Sequence, residues 1–490
     1  MSALRPRLAA LALAALAAAA AAGCGLKGTL RPDTPPTTVV FVKGPVDTVN
    51  HIVHLFWFGS DVDGTIAGFE WRLLNPAAPA DTGWHFTPRT DSVFTIFTPA
   101  GYTMPTFVVR AIDNAGLRDP NPARETFQFR NLPPIVKLTL KPGASDTTFA
   151  SVTVTWSIND PDGDPSKAVY RVWLDGRAAT PEITNATTFT MPSDRFFQAG
   201  GSPYFSGYRT LFVQAIDDGG MAGPPDSVRW FVRQPVAGTR ARLLIVDDVP
   251  RTNPSNFQLD TLYTHAAARY LPPDQYSILR LEFTQPFKSA LDLQQTLQLF
   301  ETVVWYRENE ISLSSVLQND QAGLVAYLQG GGRLFLDGLY LFSGQQANGS
   351  LTGDFARQVL DCEGFLEGFT FTTTFTDSTI GYGNVNGSAF FSDALADSLH
   401  LQQMQVRSGE AGGFRAFHVK NASDVLMVAA PGAITPASTD SLAVAVSVSE
   451  PGGGRAVVAC MPIGVATPRN ASPAARVLAR IYAILGLAGP

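Results

Sequence analysis

The chain contains two copies of one sequence pattern, and this internal repeat limits its fold more than any other feature. The repeated positions are Trp57, Asp61, Asp63 and Gly64 in the first copy and, 99 residues later, Trp156, Asp160, Asp162 and Gly163 in the second. A later stretch also repeats, because residues 107–113 (FVVRAID) match residues 211–217 (LFVQAID). Units of about 100 residues with short strands and turns are typical of β-sandwiches. The repeat predicts two all-β sandwich modules, over residues 37–132 and 133–235.

Alternation of side chains along a strand predicts what fills the core of each module. Within residues 53–57, Val53, Leu55 and Trp57 share one face, since successive side chains of a strand point to opposite sides. We therefore expect Trp57 to pack in the core. Over nearly their whole length the modules resemble bacterial fibronectin type III or immunoglobulin-like modules, a resemblance that implies a fold and no particular ligand.

The second module carries a group of acidic residues that suggests a calcium site. Its turn contains Asp160, Asp162 and Asp164 at alternating positions, and Asp217 follows a strand that we expect to end nearby. Carboxylate oxygens are the ligands that Ca²⁺ prefers. The alternative is that these residues only shape tight turns, where aspartate accepts hydrogen bonds from local amides. In the first module only Asp61 and Asp63 stand in the turn, so a site there would be poorer.

The chain after residue 240 follows a different pattern, in which apolar strands alternate with helical segments. Strands are predicted at residues 243–246, 276–281, 302–306, 333–336 and 456–460, and helices begin near Asn319 and Ser472. Residues 369–447 predict antiparallel strands at one edge. The alternation indicates a doubly wound, mostly parallel α/β sheet over residues 240–490, which makes the chain a multidomain protein of two sandwiches and one α/β domain.

A Gly-rich passage links this region to a known superfamily. Residues 330–338 read GGGRLFLDG, and residues 452–455 (GGGR) lead into a late strand. This order of elements resembles the class I glutamine amidotransferase-like superfamily, which implies a flavodoxin-like sheet with a catalytic cysteine on the sharp turn after the strand. Here that turn carries Asp337, and a carboxylate cannot form the thioester that amide transfer requires. The resemblance therefore implies the fold without the activity.

Five charged residues stand where strands of this region end. They are Asp247, Asp248, Arg307, Glu308 and Asp337. In open parallel sheets the ligand crevice lies beyond the carboxyl ends of the strands, so these side chains are candidates for one crevice. Carboxylates brought together raise one another's pKa or bind a divalent cation, which would suit hydrolysis or sugar binding. The alternative is that each residue caps the helix that follows its strand.

The N-terminus has the features of an export signal. Arg5 and Arg7 precede an apolar run at residues 8–22, which with 15 residues is shorter than the ~20 of a membrane-spanning helix. Ala21, Ala22 and Gly23 then lead to Cys24, a segment that resembles the lipobox of bacterial lipoproteins, with Ala21 where leucine is usual. The resemblance implies a signal peptide over residues 1–23, a lipid on Cys24, a tether over residues 24–36 and, from Gly25, the outer membrane.

The net charge and the motifs exclude some classes of function but do not identify a ligand. The formal charge of −6 and the lack of Lys and Arg clusters argue against nucleic acid as a partner. The chain has no feature that requires a cofactor, with Ca²⁺ as the one candidate. We expect a lipid-anchored envelope protein, on the periplasmic or the outer surface, that binds or assembles with an envelope protein or glycan without catalysis. The alternatives are a carboxylate- or metal-dependent hydrolase of envelope glycans or peptides, and a structural spacer in a larger complex.

Overall fold

The computed structural model of the chain describes its strands, helices and most of their connections. The described residues are 32–42, 51–79, 83–196, 206–235, 241–250, 256–281, 287–308, 310, 314–338, 341, 346–347, 350–351, 353–360, 362–371, 380–387, 401–407, 414–421, 425–429, 434–435, 442–460, 463 and 472–487. Cys24 and the predicted signal peptide lie outside them. Within these ranges no helix has both the length and the apolar character needed to cross a membrane.

The chain forms two compact units. The first comprises the residues up to Pro134 together with two loops, Asp160–Ala168 and Ile216–Ala222. The second comprises Ile135–Asn159, Val169–Ala215 and Gly223–Pro490. The second unit thus holds the strands of the second module and the whole C-terminal region, while the two loops belong with the first module.

The first module is a β-sandwich. Its strands are β1 (Thr37–Val42), β2 (Ile52–Ser60), β3 (Ile66–Leu74), β4 (His85–Thr87), β5 (Asp91–Thr95), β6 (Tyr102–Thr103), β7 (Thr106–Asp113), β8 (Ala123–Thr126) and β9 (Phe129–Arg130). One sheet has the order β1-β2-β5 and the other β4-β3-β7-β8, and β6 pairs with β9. All described pairs in these sheets are antiparallel. The predicted sandwich is therefore present.

The core of this module lies between the two sheets, as the alternation of side chains predicts. Trp57 is fully buried and packs with Val53 and Leu55 from its own strand. Its ring meets Phe69 and Phe107 from the opposite sheet, with centroids 6.4 and 5.4 Å away. The indole N–H donates to the carbonyl of Arg89 at 2.8 Å, so the one polar atom of the side chain is satisfied. The expectation that Trp57 packs in the core is confirmed.

The second module repeats this arrangement. Its strands are β10 (Ile135–Leu140), β11 (Thr147–Thr148), β12 (Val152–Asn159), β13 (Val169–Leu174), β14 (Glu182–Thr184), β15 (Thr188–Met191), β16 (Gly207–Ile216) and β17 (Asp226–Val232), with 3₁₀ turns at Pro165–Lys167 and Ser193–Phe196. The sheets have the orders β10-β12-β15 and β11-β17-β16-β13-β14. Trp156 is buried at the position that corresponds to Trp57. The sequence repeat is thus a repeat of strand order and of core.

The C-terminal region combines strands with six described helices. The strands are β18 (Ala241–Asp247), β19 (Tyr276–Arg280), β20 (Phe300–Glu308), β21 (Arg333–Gly338), β22 (Gln346–Ala347), β23 (Ser350–Leu351), β24 (Cys362–Phe371), β25 (Ile380–Gly387), β26 (Leu401–Arg407), β27 (Phe414–Val419), β28 (Val425–Ala429), β29 (Ile434–Thr435), β30 (Leu442–Ser449) and β31 (Arg455–Ala459). The helices are α1 (Asn256–Ala267), α2 (Ala290–Leu297), α3 (Ser315–Asn319), α4 (Gln321–Gln329), α5 (Asp354–Gln358) and α6 (Ser472–Ile484), and a 3₁₀ turn spans Pro273–Gln275.

Twelve of these strands form one sheet. Its main path runs β19-β18-β20-β21-β31-β30-β27-β24-β29. The first five strands of the path are parallel to one another. From β30 onward the pairs are antiparallel, as predicted for residues 369–447. The parallel strands therefore point their carboxyl ends toward one edge of the sheet.

The parallel strands are buried on both faces. Four consecutive residues of β18, from Leu243 to Val246, have no exposed surface, which is the burial expected of a strand covered on two sides. Helices α1 and α6 pack together and share one apolar core with alternate residues of the strands. Helices α2 and α4 pack against each other, and α2 contacts β20. The helix predicted to begin near Asn319 is α4, which begins at Gln321 after Asp320, because Asn319 is the last residue of the short helix α3.

Within the second unit, a buried carboxyl group joins β12 of the sandwich to helix α2. The Oδ2 atom of Asp292 accepts hydrogen bonds from the backbone N–H groups of Lys288 at 3.2 Å and Thr153 at 3.3 Å. The hydroxyls of Thr153 and Ser289 lie 2.7 Å apart beside it. Burial raises the pKa of Asp292 to about 6, against the partial opposing effect of these hydrogen bonds.

We expect Trp57→Ala to lower the free energy of unfolding by about 3–5 kcal/mol, because it removes a large buried side chain and leaves a cavity. Urea denaturation followed by circular dichroism measures the change. Val62→Ala is the control, since Val62 is 84% exposed in the same module. A loss for Trp57→Ala no larger than that of the control would contradict the packing described here.

The raised pKa of Asp292 makes its contribution to stability depend on pH. The folded state holds this proton more tightly than the unfolded state does, so Asp292 favours folding most below pH ~4 and loses that contribution as the pH rises through 6. We expect the free energy of unfolding of the natural protein, minus that of Asp292→Asn, to fall by up to about 3 kcal/mol between pH 4 and pH 8. A difference for Asp292→Asn that stays flat over this pH range would refute the assignment.

Candidate functional site

The structure brings the five predicted strand-end residues to one edge of the parallel sheet. Asp247 ends β18, Arg307 and Glu308 end β20, and Asp337 stands one residue from the end of β21. These strands are neighbours in the order β18-β20-β21. All five side chains are buried or nearly so. Glu308 and Asp337 belong to one hydrogen-bonded group, Asp248 and Arg307 form a second, and Asp247 bonds to the residues after β18.

The first group joins two carboxyl groups through a tyrosine. The hydroxyl of Tyr263, on helix α1, lies 2.5 Å from Oδ2 of Asp337 and within hydrogen-bond distance of Oε1 of Glu308. The backbone N–H of Ile463 also donates to Asp337 Oδ2, at 3.3 Å. The Tyr263 ring stacks on Tyr306, with centroids 4.0 Å apart. The group is fully buried and connects α1 to two adjacent strands.

Burial and mutual repulsion control the protonation of this group. Burial, followed by the charge of Glu308, raises the pKa of Asp337 well above its usual range. The same two influences, burial first and then the carboxylates, raise the pKa of Tyr263. A phenol has one proton to donate, so one of its two carboxyl partners has to carry a proton itself. Because its pKa is raised, Asp337 holds its proton to a higher pH than an aspartate in water does.

The second group is an ion pair. Arg307 Nη1 lies 2.7 Å from Oδ2 of Asp248, and the indole N–H of Trp305 donates to the same oxygen at 3.1 Å. Asp247 accepts from the backbone N–H of Val249 at 3.1 Å, and Arg280 lies 3.8 Å from its other oxygen. Asp247 therefore bonds to a residue of the loop before helix α1, which begins at Asn256.

The backbone is strained at the end of β20. Glu308 has a φ of +52°, and no other described residue except glycine has a positive φ. The pairing of β20 with β21 also shifts between Tyr306 and Glu308, which places Arg307 in a bulge. A bulge redirects the side chains next to it, and here Arg307 and Glu308 are both buried although they are consecutive. The residue with the strained backbone is therefore on β20, whereas Asp337 lies within the paired strand β21.

A second candidate site lies in the acidic turns of the first unit. It contains three of the four predicted calcium ligands. Asp164 is not in the group, because its carboxylate caps the 3₁₀ turn at Ser166 and lies 3.5 Å from Lys167. Asp160 and Asp217 each use one oxygen for a backbone N–H of their own loop, and Asp162 uses one for the N–H of Leu132. Their other oxygens, Asp160 Oδ2, Asp162 Oδ1 and Asp217 Oδ2, are buried without a hydrogen-bond partner.

Two further residues belong to this group. Asp218 pairs with the buried His51, with Oδ1 and Nε2 2.7 Å apart. Asn131 donates to Asp217 at 3.1 Å and leaves its own Oδ1 buried without a partner. We call Asn131, Asp160, Asp162, Asp217 and Asp218 the second acidic cluster. Across the ranges that the structure describes, no three His, Cys, Asp or Glu side chains are already placed closely enough to hold a metal ion.

The first module has an equivalent group that sequence analysis largely missed. It consists of Asp33, Asp61, Asp63, Asp113 and Asn114, and we call it the first acidic cluster. The missed members had a signal in the repeat, because Asp33-Thr34-Pro35-Pro36 matches Asn131-Leu132-Pro133-Pro134 and Asp113-Asn114 matches Asp217-Asp218. Asp33 precedes β1 and is far in the chain from the turn at residues 61–64, so only the fold shows that it belongs to this cluster.

An exposed apolar face lies on the first module. The outward side chains of the sheet β1-β2-β5 include Val39, Phe41, Phe56, Phe58 and Val93, and we call this set the apolar face. Phe41 and Phe56 are cross-strand neighbours and stack at 5.7 Å. Val39 pairs with Phe58, and both are more than half exposed. Contiguous apolar patches of this kind mark interaction sites more often than isolated exposed residues do.

Comparison with known proteins gives matches among solved structures. No protein-family model matches the chain, and no curated protein matches it. Among solved structures it is similar to the fibronectin type III-like modules of Clostridium thermocellum CbhA (19% identity, 40% of this chain and 94% of that chain, TM-score 0.18). It is also similar to domains FN1–FN3 of chicken CNTN1 (14% identity, 44% and 69%, TM-score 0.19).

A third similar structure is a two-module fibronectin type III segment of chicken tenascin (15% identity, 39% of this chain and 95% of that chain, TM-score 0.16). With TM-scores this low, the assignment of the sandwich fold rests on the strand pairing and the two tryptophan cores described above.

We expect Tyr263→Phe to lower the free energy of unfolding by about 1–3 kcal/mol, because two buried carboxyl groups lose their shared donor. Tyr482→Phe is the matched control, since Tyr482 is equally buried and its hydroxyl donates one bond, to the Tyr263 carbonyl at 3.1 Å. We expect the control to lose about 1 kcal/mol. Equal losses in urea denaturation would show that the hydroxyl of Tyr263 has no special role.

Proposed function

We propose that this chain is a lipid-anchored protein of the cell envelope that binds or assembles with an envelope protein and does not catalyse a reaction. The export signal and the lipobox-like segment ending at Cys24 support the anchor and, through Gly25, the outer membrane. The proposal places the two sandwich modules nearest the membrane and the C-terminal α/β domain after them in the chain.

The strand order supports a flavodoxin-like, doubly wound fold for the C-terminal domain. In chain order the five parallel strands are β18, β19, β20, β21 and β31, and they lie in the sheet as β19-β18-β20-β21-β31. This is the order 2-1-3-4-5 of flavodoxin-like sheets, in which ligands bind at the carboxyl ends of the strands. The same order is consistent with a domain of the glutamine amidotransferase-like class that lacks its cysteine.

The main support for a protein without catalysis is that the charged side chains at the strand ends are buried and bonded within the protein. Glu308 and Asp337 have no exposed surface, and both bond to Tyr263. Arg307 is buried against Asp248. A general acid, base or nucleophile has to come within hydrogen-bond distance of its substrate. These groups instead hold the edge of the sheet together.

The apolar face supports binding, and its composition favours a protein partner over a glycan. Its phenylalanine and valine side chains have no hydrogen-bonding groups, and the His54 and Asp91 side chains on the same sheet already bond to each other at 2.7 Å. The centres of protein interfaces are depleted in charge and enriched in aromatic side chains. A sugar-binding surface needs polar groups that orient the hydroxyls of the ligand.

The double variant Phe41→Ser, Phe58→Ser tests this proposal. The full chain is purified from detergent-solubilised membranes, and proteins that co-purify at a fixed ratio are quantified. We expect the double variant to lose such a partner and Phe86→Ser to keep it, because Phe86 is similarly exposed but lies on β4 of the opposite sheet. Cys24→Ala should move the chain out of the membrane fraction and abolish labelling by palmitate.

Two results would contradict the proposal. One is a partner ratio that is the same for the double variant and the natural protein. The other is turnover of an envelope peptide or glycan by the purified chain that is abolished by Asp337→Asn, which would favour the hydrolase instead. A spacer would bind fixed partners through other surfaces, so it would give the first of these results.

A further inference from the structure

The two acidic clusters of the first unit have the same construction, residue by residue. In each, the first aspartate of the turn accepts from the N–H of the second: Asp61 from Asp63 at 3.2 Å, and Asp160 from Asp162 at 3.4 Å. The second aspartate accepts from the segment before the module: Asp63 from the N–H of Thr34 at 3.4 Å, and Asp162 from the N–H of Leu132 at 2.9 Å. The repeat thus preserves a three-dimensional arrangement of carboxylates as well as a core.

A third carboxylate comes from a neighbouring strand end in both clusters. Asp113 accepts from the N–H groups of Ala115 and Leu117 at 2.8 and 2.9 Å, and Asp217 accepts from that of Met221 at 2.8 Å. In both residues only Oδ1 is used, and Oδ2 is buried without a partner. Asp113 is 2% exposed and Asp217 is 4% exposed, so bulk solvent does not reach these oxygens. A buried carboxylate oxygen without a partner costs free energy unless a ligand supplies the missing contact.

Glycine is required at one position of each cluster, because the oxygens crowd around it. A Cβ on Gly64 would lie 2.5 Å from Asp61 Oδ2 and 2.6 Å from Asn114 Oδ1. A Cβ on Gly163 would clash with Asp160 Oδ2 and lie 2.9 Å from Asp218 Oδ1. The absence of a side chain therefore lets oxygens from two loops approach one another.

The negative charge of the clusters is only slightly compensated. Among the described residues, no Lys or Arg forms an ion pair with Asp33, Asp61, Asp63 or Asp113. In the second cluster His51 and the half-exposed Lys167 both contact Asp218, Lys167 at 3.7 Å. Burial and the charge of Asp160 raise the pKa of Asp217, and desolvation and the charges of Asp113, Asp63 and Asp61 raise that of Asp33.

We propose that each acidic cluster binds one Ca²⁺ ion, through Asp61, Asp63 and Asp113 with Asp33 in the first module and through Asp160, Asp162, Asp217 and Asn131 in the second. The carboxylates have to rotate toward the ion, because they are not yet placed as a closed set. Ca²⁺ suits such sites, since it accepts six to eight oxygen ligands in flexible geometry and completes its shell with carbonyls and water. Ions of this class would link the segment before each module to its turns.

Equilibrium dialysis of the metal-free full chain against labelled Ca²⁺ tests the stoichiometry. We expect two ions per chain, with dissociation constants of about 10⁻⁴ to 10⁻³ M as in extracellular modules. Asp113→Asn and Asp217→Asn should each leave one ion, and the double variant should bind none. Asparagine keeps the oxygen that accepts the backbone bonds and replaces only the unpartnered oxygen, so these variants leave the turns intact.

Asp164→Asn is the control and should still bind two ions, because Asp164 caps its own turn outside the cluster. In each single variant the other site is unchanged, and Ca²⁺ binding at that site shows that the chain is folded. Binding of no Ca²⁺ by the natural protein, or of two ions by the double variant, would overturn the proposal. Loss of both ions in one single variant would overturn the assignment of independent sites.

Discussion

Burial of carboxyl groups in places where water cannot reach them is the constraint on which both candidate regions depend. A buried carboxylate is costly unless hydrogen bonds or opposite charge compensate it. At the edge of the parallel sheet the protein compensates it internally, through Tyr263 for Glu308 and Asp337 and through Arg307 for Asp248. In the loops of the first unit the compensation is less complete. The sheet edge leaves one such oxygen without a partner, on Asp337, whereas the loops leave one each on Asp61, Asp113, Asp160, Asp162 and Asp217.

This contrast separates a structural role from a binding role. The group around Tyr263 uses most of its polar atoms to join helix α1 to two neighbouring strands. Its oxygen that lies buried without a hydrogen-bond partner is Oδ1 of Asp337. The acidic clusters have oxygens in excess of their local hydrogen bonds, and that excess is what a divalent cation would use.

The repeat explains why two sites of one kind stand in a single chain. Each module needs an aspartate-glycine turn to connect its sheets, and the same turn supplies a carboxylate oxygen that the backbone does not use. The preceding segment, Asp33-Thr34 in one case and Asn131-Leu132 in the other, is held to the turn by a hydrogen bond to the second aspartate. Duplication of the module therefore repeats the arrangement of carboxylates as well as the core.

The sequence by itself determined the two sandwich modules, the burial of Trp57 and the position of the parallel strands, because alternation of apolar residues and short-range turn signals fix local structure. It also indicated that Asp247, Asp248, Arg307, Glu308 and Asp337 would meet, since parallel strands end at one edge. Only the tertiary structure decided that Tyr263 closes this group, that Glu308 carries the strained backbone, and that Asp33 and Asp113 join Asp61 while Asp164 turns away from its neighbours. Those outcomes depend on contacts between residues far apart in the chain, and no local pattern records which oxygen of a carboxylate the backbone will use.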